Sequence, residues 1–113
     1  MKESDIIVAV FPQADGSLKR RPALILREMP PFRDFLICGI STQLRQEVEG
    51  FDEVINDSDV DFKESGLDSD SLIRLGFLQV VPRREIVGSI GSISSARHRR
   101  LLENLSKYLL KST

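Results

Sequence analysis

Apolar and polar positions alternate in short blocks along most of the chain. Residues 5–11, Asp-Ile-Ile-Val-Ala-Val-Phe, are rich in β-branched side chains and predict a strand. Pro12 to Lys19 carries Asp15-Gly16-Ser17, a strong turn signal. Residues 21–27, Arg-Pro-Ala-Leu-Ile-Leu-Arg, predict a second strand, with Pro22 suited to a first-residue or edge position. A loop follows at Pro30-Pro31, then a third apolar strand over residues 34–41. A fourth strand is expected over 51–56 and a turn of helix at 62–65, inside an acidic connection. Residues 71–81 predict a long strand with a bend or bulge at Gly76, stopped by Pro82. A last short strand is expected over 86–90.

The end of the chain changes period. Ser94-Ser95 offers an N-cap, and Leu101, Leu102, Leu105, Tyr108 and Leu109 recur at helical spacing. Five or six short strands and one terminal helix describe a mainly β protein, a small curved barrel-like sheet with a helix packed on it. No repeat, linker or low-complexity stretch divides the 113 residues, so a single domain over 1–113 is expected.

Composition narrows the function. Sixteen basic and 17 acidic residues give a formal net charge of −1, which excludes a whole-chain polycation. No apolar run approaches the ~18 residues of a membrane span, and the run after Asp5 is too short for a signal peptide, so a cytoplasmic protein without membrane contact is expected. One cysteine and one histidine exclude an internal disulfide, a multi-Cys zinc site and a His-pair mechanism. Charge is segregated, however. Residues 47–70 hold ten acids and only Lys63 as a base, leaving 15 bases and seven acids elsewhere. Such a pattern either builds a local basic site or balances scattered surface arginines.

Two clusters carry candidate chemistry. Lys19-Arg20-Arg21-Pro22 is placed just before the buried part of the second strand. Arg20 and Arg21 point to opposite faces if extended, so one can enter a groove, where a guanidinium fork suits phosphate; the alternative is a surface ion pair. Ser41-Thr42-Gln43 ends the third strand, where hydroxyls and an amide bond either a phosphate and base edge or the backbone of a turn. Cys38 reads as a small buried residue, not a nucleophile. His98 reads as solvent-facing or capping, within a basic helical end able to touch a nucleic-acid backbone. There is no P-loop and no Gly-x-Ser-x-Gly, so nucleotide hydrolases and α/β-hydrolases are unsupported.

Three ordered blocks resemble the MazF/PemK family of toxin endoribonucleases. They are Asp5 to Pro12, Gly16 to Leu26 with its Arg21-Pro22 signature, and Leu36 to Gln43 with its apolar strand ending in Ser41-Thr42-Gln43. A weaker fourth block runs from Gly66 to Ile73. The family's opening Gly-Asp is Ser4-Asp5 here, and the Gln-x-Arg of some members is not kept around Phe77-Leu78-Gln79.

The resemblance implies an SH3-like barrel with a C-terminal helix, paired as a homodimer. It implies metal-independent, sequence-selective cleavage of single-stranded RNA, with no cofactor, and a cognate antitoxin whose acidic tail blocks the RNA groove. Arg21 and Ser41 fall on the catalytic positions. Lys19, Arg20, Thr42 and Gln43 are the substrate-binding candidates. Two alternatives keep a similar barrel. One is a non-catalytic RNA- or protein-binding module. The other is a gyrase-inhibiting CcdB-type toxin, which relies on a C-terminal tryptophan, and this chain has none.

Overall fold

Neighbouring residues of the first strand set the layering. The computed structural model describes residues 1–112. In β1 (Asp5–Pro12), Ile6 and Ile7 are both fully buried although they point to opposite faces. Leu24 and Ile25 repeat this in β2 (Leu18–Met29), and Cys38 and Ile37 in β3 (Asp34–Ser41). The sheet is therefore apolar on both sides. One side gathers Ile6, Leu24, Cys38, Ile40, Ile73 and Leu75, and the other gathers Ile7, Ala9, Phe11, Ala23, Ile25 and Ile37.

β4 (Glu53–Ile55), a four-residue helix α1 (Phe62–Ser65), β5 (Ser71–Val81), β6 (Ile86–Ser92) and α2 (Ser95–Leu110) complete the chain. The strands form one sheet in the order β4-β5-β3-β2-β1-β6, every pair antiparallel, curled into a half-barrel with the C-terminal helix packed on it. The mainly β architecture read from the sequence is thus present. β2 starts three residues before its expected edge. Leu18 and Lys19 fall in the expected turn segment and Arg20 just before the expected strand, yet they pair across the hairpin with Pro12, Phe11 and Val10. β4 is shorter than expected, three residues against six.

α2 closes the first apolar face. The Ser94 hydroxyl caps it by accepting from the Arg97 amide at 3.1 Å, and Leu101 and Leu105 enter the core. His98 is half-buried, not solvent-facing. Its Nε2 lies 2.8 Å from the Leu26 carbonyl, which is open because the β2–β3 register slips at Leu26. Gly66 ends α1 at φ 72°, and a side chain there would strike the Ile90 carbonyl, so glycine lets α1 seat against β6.

The acidic segment is in part structural. Arg97, almost fully buried, donates to Asp61 (2.9 and 3.1 Å), Asp59 (2.9 Å) and Glu53 (2.9 Å), while Arg100 also pairs with Glu53. Asp52 is buried without a cation. Its two oxygens accept from the amides of Val48 and Leu75, each at 2.9 Å. The acids thus hold α2 and β4 in place, and of the basic residues of β2 Arg27 pairs with Glu3 while Lys19, Arg20 and Arg21 have no carboxylate partner among the described residues.

Candidate active site

A proline and a glycine open the site. Pro22 pairs with Val8 of β1 but has no partner on β3, whose pairing with β2 begins at Ala23↔Gly39. Lacking an N–H, Pro22 cannot donate to a ladder. From there β3 separates from β2 and continues through Ile40 and Ser41 on β5 alone. On the far side β5 bulges. Cys38 faces Leu78 but Gly39 faces Arg74, so Leu75, Gly76 and Phe77 loop out. Gly39 lies between these two departures. A Cβ there would come within 3.1 Å of the Phe77 ring, so its bare backbone forms the floor.

The result is a cleft of about 400 Å³ lined by residues 11–14, Arg21, Pro22, residues 39–43, Arg74 and Phe77. Strand alternation explains the membership. Arg21, Ala23, Gly39, Ser41 and Arg74 share one sheet face. Phe11 and Phe77 stand edge to face as its aromatic wall, 5.6 Å between centroids.

Of the candidates from sequence, Arg21, Ser41, Thr42 and Gln43 meet in this cleft. Lys19 shares Arg21's face, opposite Phe11, but lies outside the cleft lining. Arg20 pairs with the exposed Val10 and points to the other face, as alternation requires. Gln13, Arg74 and Phe77 also line the cleft, with no site role expected from sequence. Gln13 accepts from Arg21 Nη2 at 3.3 Å and fixes the guanidinium across the hairpin; folding the chain at Asp15-Gly16 brings the two strands' ends together. Arg74 was legible only as a lone charge inside an apolar run, and Phe77 as one apolar residue among many.

The chemistry of the cleft is that of an anion site. Two arginines line it and, among the described residues, no carboxylate does. The Ser41 hydroxyl accepts from the Gln43 backbone N–H at 3.0 Å, the turn-capping arrangement. That uses one acceptor position and leaves its O–H free to donate to a bound oxygen. Cys38 plays no part. It is fully buried on the opposite face, and burial, with the Asp52 charge adding, pushes its thiol far up.

Fold and site together define a curled β half-barrel with a cationic, hydroxyl-bearing cleft. The chain matches the family described as "PemK-like, MazF-like toxin of type II toxin-antitoxin system" over residues 2–109, and it belongs to that family. Membership implies an antitoxin partner. Among solved structures it is similar to the Mycobacterium tuberculosis toxin MazF-mt6, with 20% identity, a TM-score of 0.68, and coverage of 96% of this chain and 99% of that one. At that identity the likeness is one of fold. No curated protein matches the sequence. No helix among the described residues is long and apolar enough to cross a membrane.

Proposed function

We propose that this toxin is a metal-independent endoribonuclease that cuts single-stranded RNA at selected sequences. One observation carries the reading. Arg21 and the Ser41 hydroxyl converge on a cleft with no carboxylate in its lining. Such a site accepts a phosphodiester and repels nothing on it.

The substrate brings its own nucleophile. The 2′-hydroxyl attacks the adjacent phosphorus, the P–O5′ bond breaks, and the products carry a 2′,3′-cyclic phosphate and a 5′-hydroxyl. The protein positions the chain and stabilises the charge that grows on the phosphoryl oxygens. Arg21, held by Gln13, donates to those oxygens. Ser41 donates its O–H to the same group. Thr42 and Gln43, exposed at the rim, contact the neighbouring nucleotides. Lys19 extends the cationic track along the same face. Arg20, on the opposite face, is outside this scheme.

The remaining assignments follow the family. Residues 1–113 act as one toxin domain in the cytoplasm, as a homodimer, inhibited by an antitoxin whose acidic segment covers the cationic cleft. The test is incubation of the purified toxin with long mixed-sequence RNA in EDTA. Discrete fragments support the reading, and intact RNA with folded, antitoxin-free protein contradicts it.

A further inference from the structure

Arg74 is the cation the scheme above does not use. It is half-buried in β5, directly across from Gly39. Among the described residues no carboxylate pairs with it, and no side chain or carbonyl accepts from it. Asp52, which accepts from the amide of the adjacent Leu75, has both oxygens on backbone amides, and Asp70 accepts from the Asp57 amide. A partly buried charge without a partner is costly, and proteins seldom keep one where a surface ion pair would serve. Arg97 shows the contrast within this chain, being surrounded by three carboxylates.

Position says what Arg74 can hold. Two residues on from the Ala23↔Gly39 pair come Arg21 on β2 and Ser41 on β3, on the same face as that pair and where the two strands part. Arg74 stands beyond β3, opposite Gly39. At ~4.8 Å per strand and ~3.3 Å per residue, and with the strands parting at Arg21, the two arginine backbones are at least ~12 Å apart. Both side chains enter the same cleft, with the side-chain-free Gly39 floor near Arg74's base.

We propose that Arg74 is a substrate-binding residue that grips the phosphate next to the one held by Arg21 and Ser41, so that the cleft binds two successive phosphates of one strand. The proposal rests on the ribonuclease reading for the identity of its ligand. It assigns Arg74 to binding, not to the bond-breaking step. A contact equally strong in ground and transition states changes KM and leaves kcat alone.

Two measurements test this. The first is steady-state cleavage of an oligonucleotide spanning a mapped cut site. Arg74→Gln is expected to raise KM about tenfold with kcat within about threefold. The second is binding of a mixed-sequence 2′-O-methyl RNA 20-mer, which lacks the nucleophile, by fluorescence anisotropy across a salt series. Arg74→Gln is expected to weaken binding about tenfold and to flatten the log–log salt slope by ~0.7, the loss of one phosphate contact. Arg74→Lys keeps the charge and is expected to restore the slope. Arg99→Gln, on the far helix, serves as the control.

Unchanged affinity and slope in folded Arg74→Gln overturn the proposal, as does a folded Arg74→Lys that fails to restore the slope, or a wild-type toxin that does not bind this RNA. If the wild type binds in an Arg74-dependent way but never cleaves RNA, the ribonuclease reading falls and the phosphate site stands. If it cleaves and Arg74→Gln matches it in KM and affinity, the reverse holds.

Discussion

Arg97 and Asp61 meet fork to fork, Nε to Oδ2 at 2.9 Å and Nη2 to Oδ1 at 3.1 Å, with both side chains almost fully buried. The pair joins α2 to the loop before α1, 36 positions away in sequence. Asp61 also accepts from the Ser94 amide at 3.0 Å, so one carboxylate holds both the start of α2 and its first buried cation. Removing one member strands the other. Arg97→Met is expected to cost ~3–5 kcal/mol, a large share of a small domain's stability. The urea midpoint reads this directly. A loss under ~1 kcal/mol would show that the pair is only a surface ion pair in effect.

The same pair makes stability depend on acid. Burial pushes the Asp61 carboxyl up, but Arg97 and the Ser94 amide outweigh it and hold it at about 2, against 3.8 unperturbed. The unfolded chain therefore takes up the proton first as pH falls. Asp61's contribution, ~2 kcal/mol, is complete above about pH 5 and is lost as pH drops through ~4 towards ~2. Between pH 5 and 2 the wild type is expected to lose ~2 kcal/mol more than Asp61→Asn, read from denaturant midpoints at each pH. Parallel curves for the two proteins contradict the assignment.

Gly39 offers a way to fill the cleft without touching its polar groups. The nearest atoms a Cβ at this position meets belong to the Phe77 side chain, at 3.1 Å and beyond, and Phe77 is 40% exposed and can shift. Gly39→Ala is therefore expected to fold with stability within about 1 kcal/mol of the wild type. Gly39→Val projects two methyls over the floor between Arg74 and Ala23 and is expected to reduce RNA binding at least tenfold, with little further change in melting temperature. Full RNA affinity in Gly39→Val would move the binding site elsewhere.

Much of this architecture was legible in the chain. The β-branched runs, Asp15-Gly16, Pro82 and the leucine spacing after Ser94 each mark an element by local chemistry that tertiary contacts do not override. Gly76 marks the bulge for the same reason. The Leu18–Arg20 part of β2 was hidden because it follows directly on the Asp15-Gly16 turn and is exposed, with two of its three residues charged; it is a strand only because β1 lies beside it. The structural share of the acidic segment was hidden too, since Asp59, Asp61 and Glu53 find Arg97 across 36 to 44 positions. At the site, the Arg21-Pro22 and Ser41-Thr42-Gln43 blocks were visible as motifs. Gln13 and Arg74 join them only once the hairpin closes and the β5 bulge turns Arg74 onto the Gly39 face.

The most direct test of the ribonuclease reading is end-group analysis of mixed-sequence RNA treated with toxin in EDTA, beside Arg21→Ala prepared identically. The expected result is discrete fragments with 5′-hydroxyl and 2′,3′-cyclic phosphate ends from the wild type. The variant, with an unchanged melting temperature, is expected to be ~10²–10⁴-fold slower, and RNA carrying a 2′-deoxy residue at the cut is expected to stay intact. Cleavage that stops in EDTA, cuts the 2′-deoxy substrate, or persists at full rate in Arg21→Ala would contradict it.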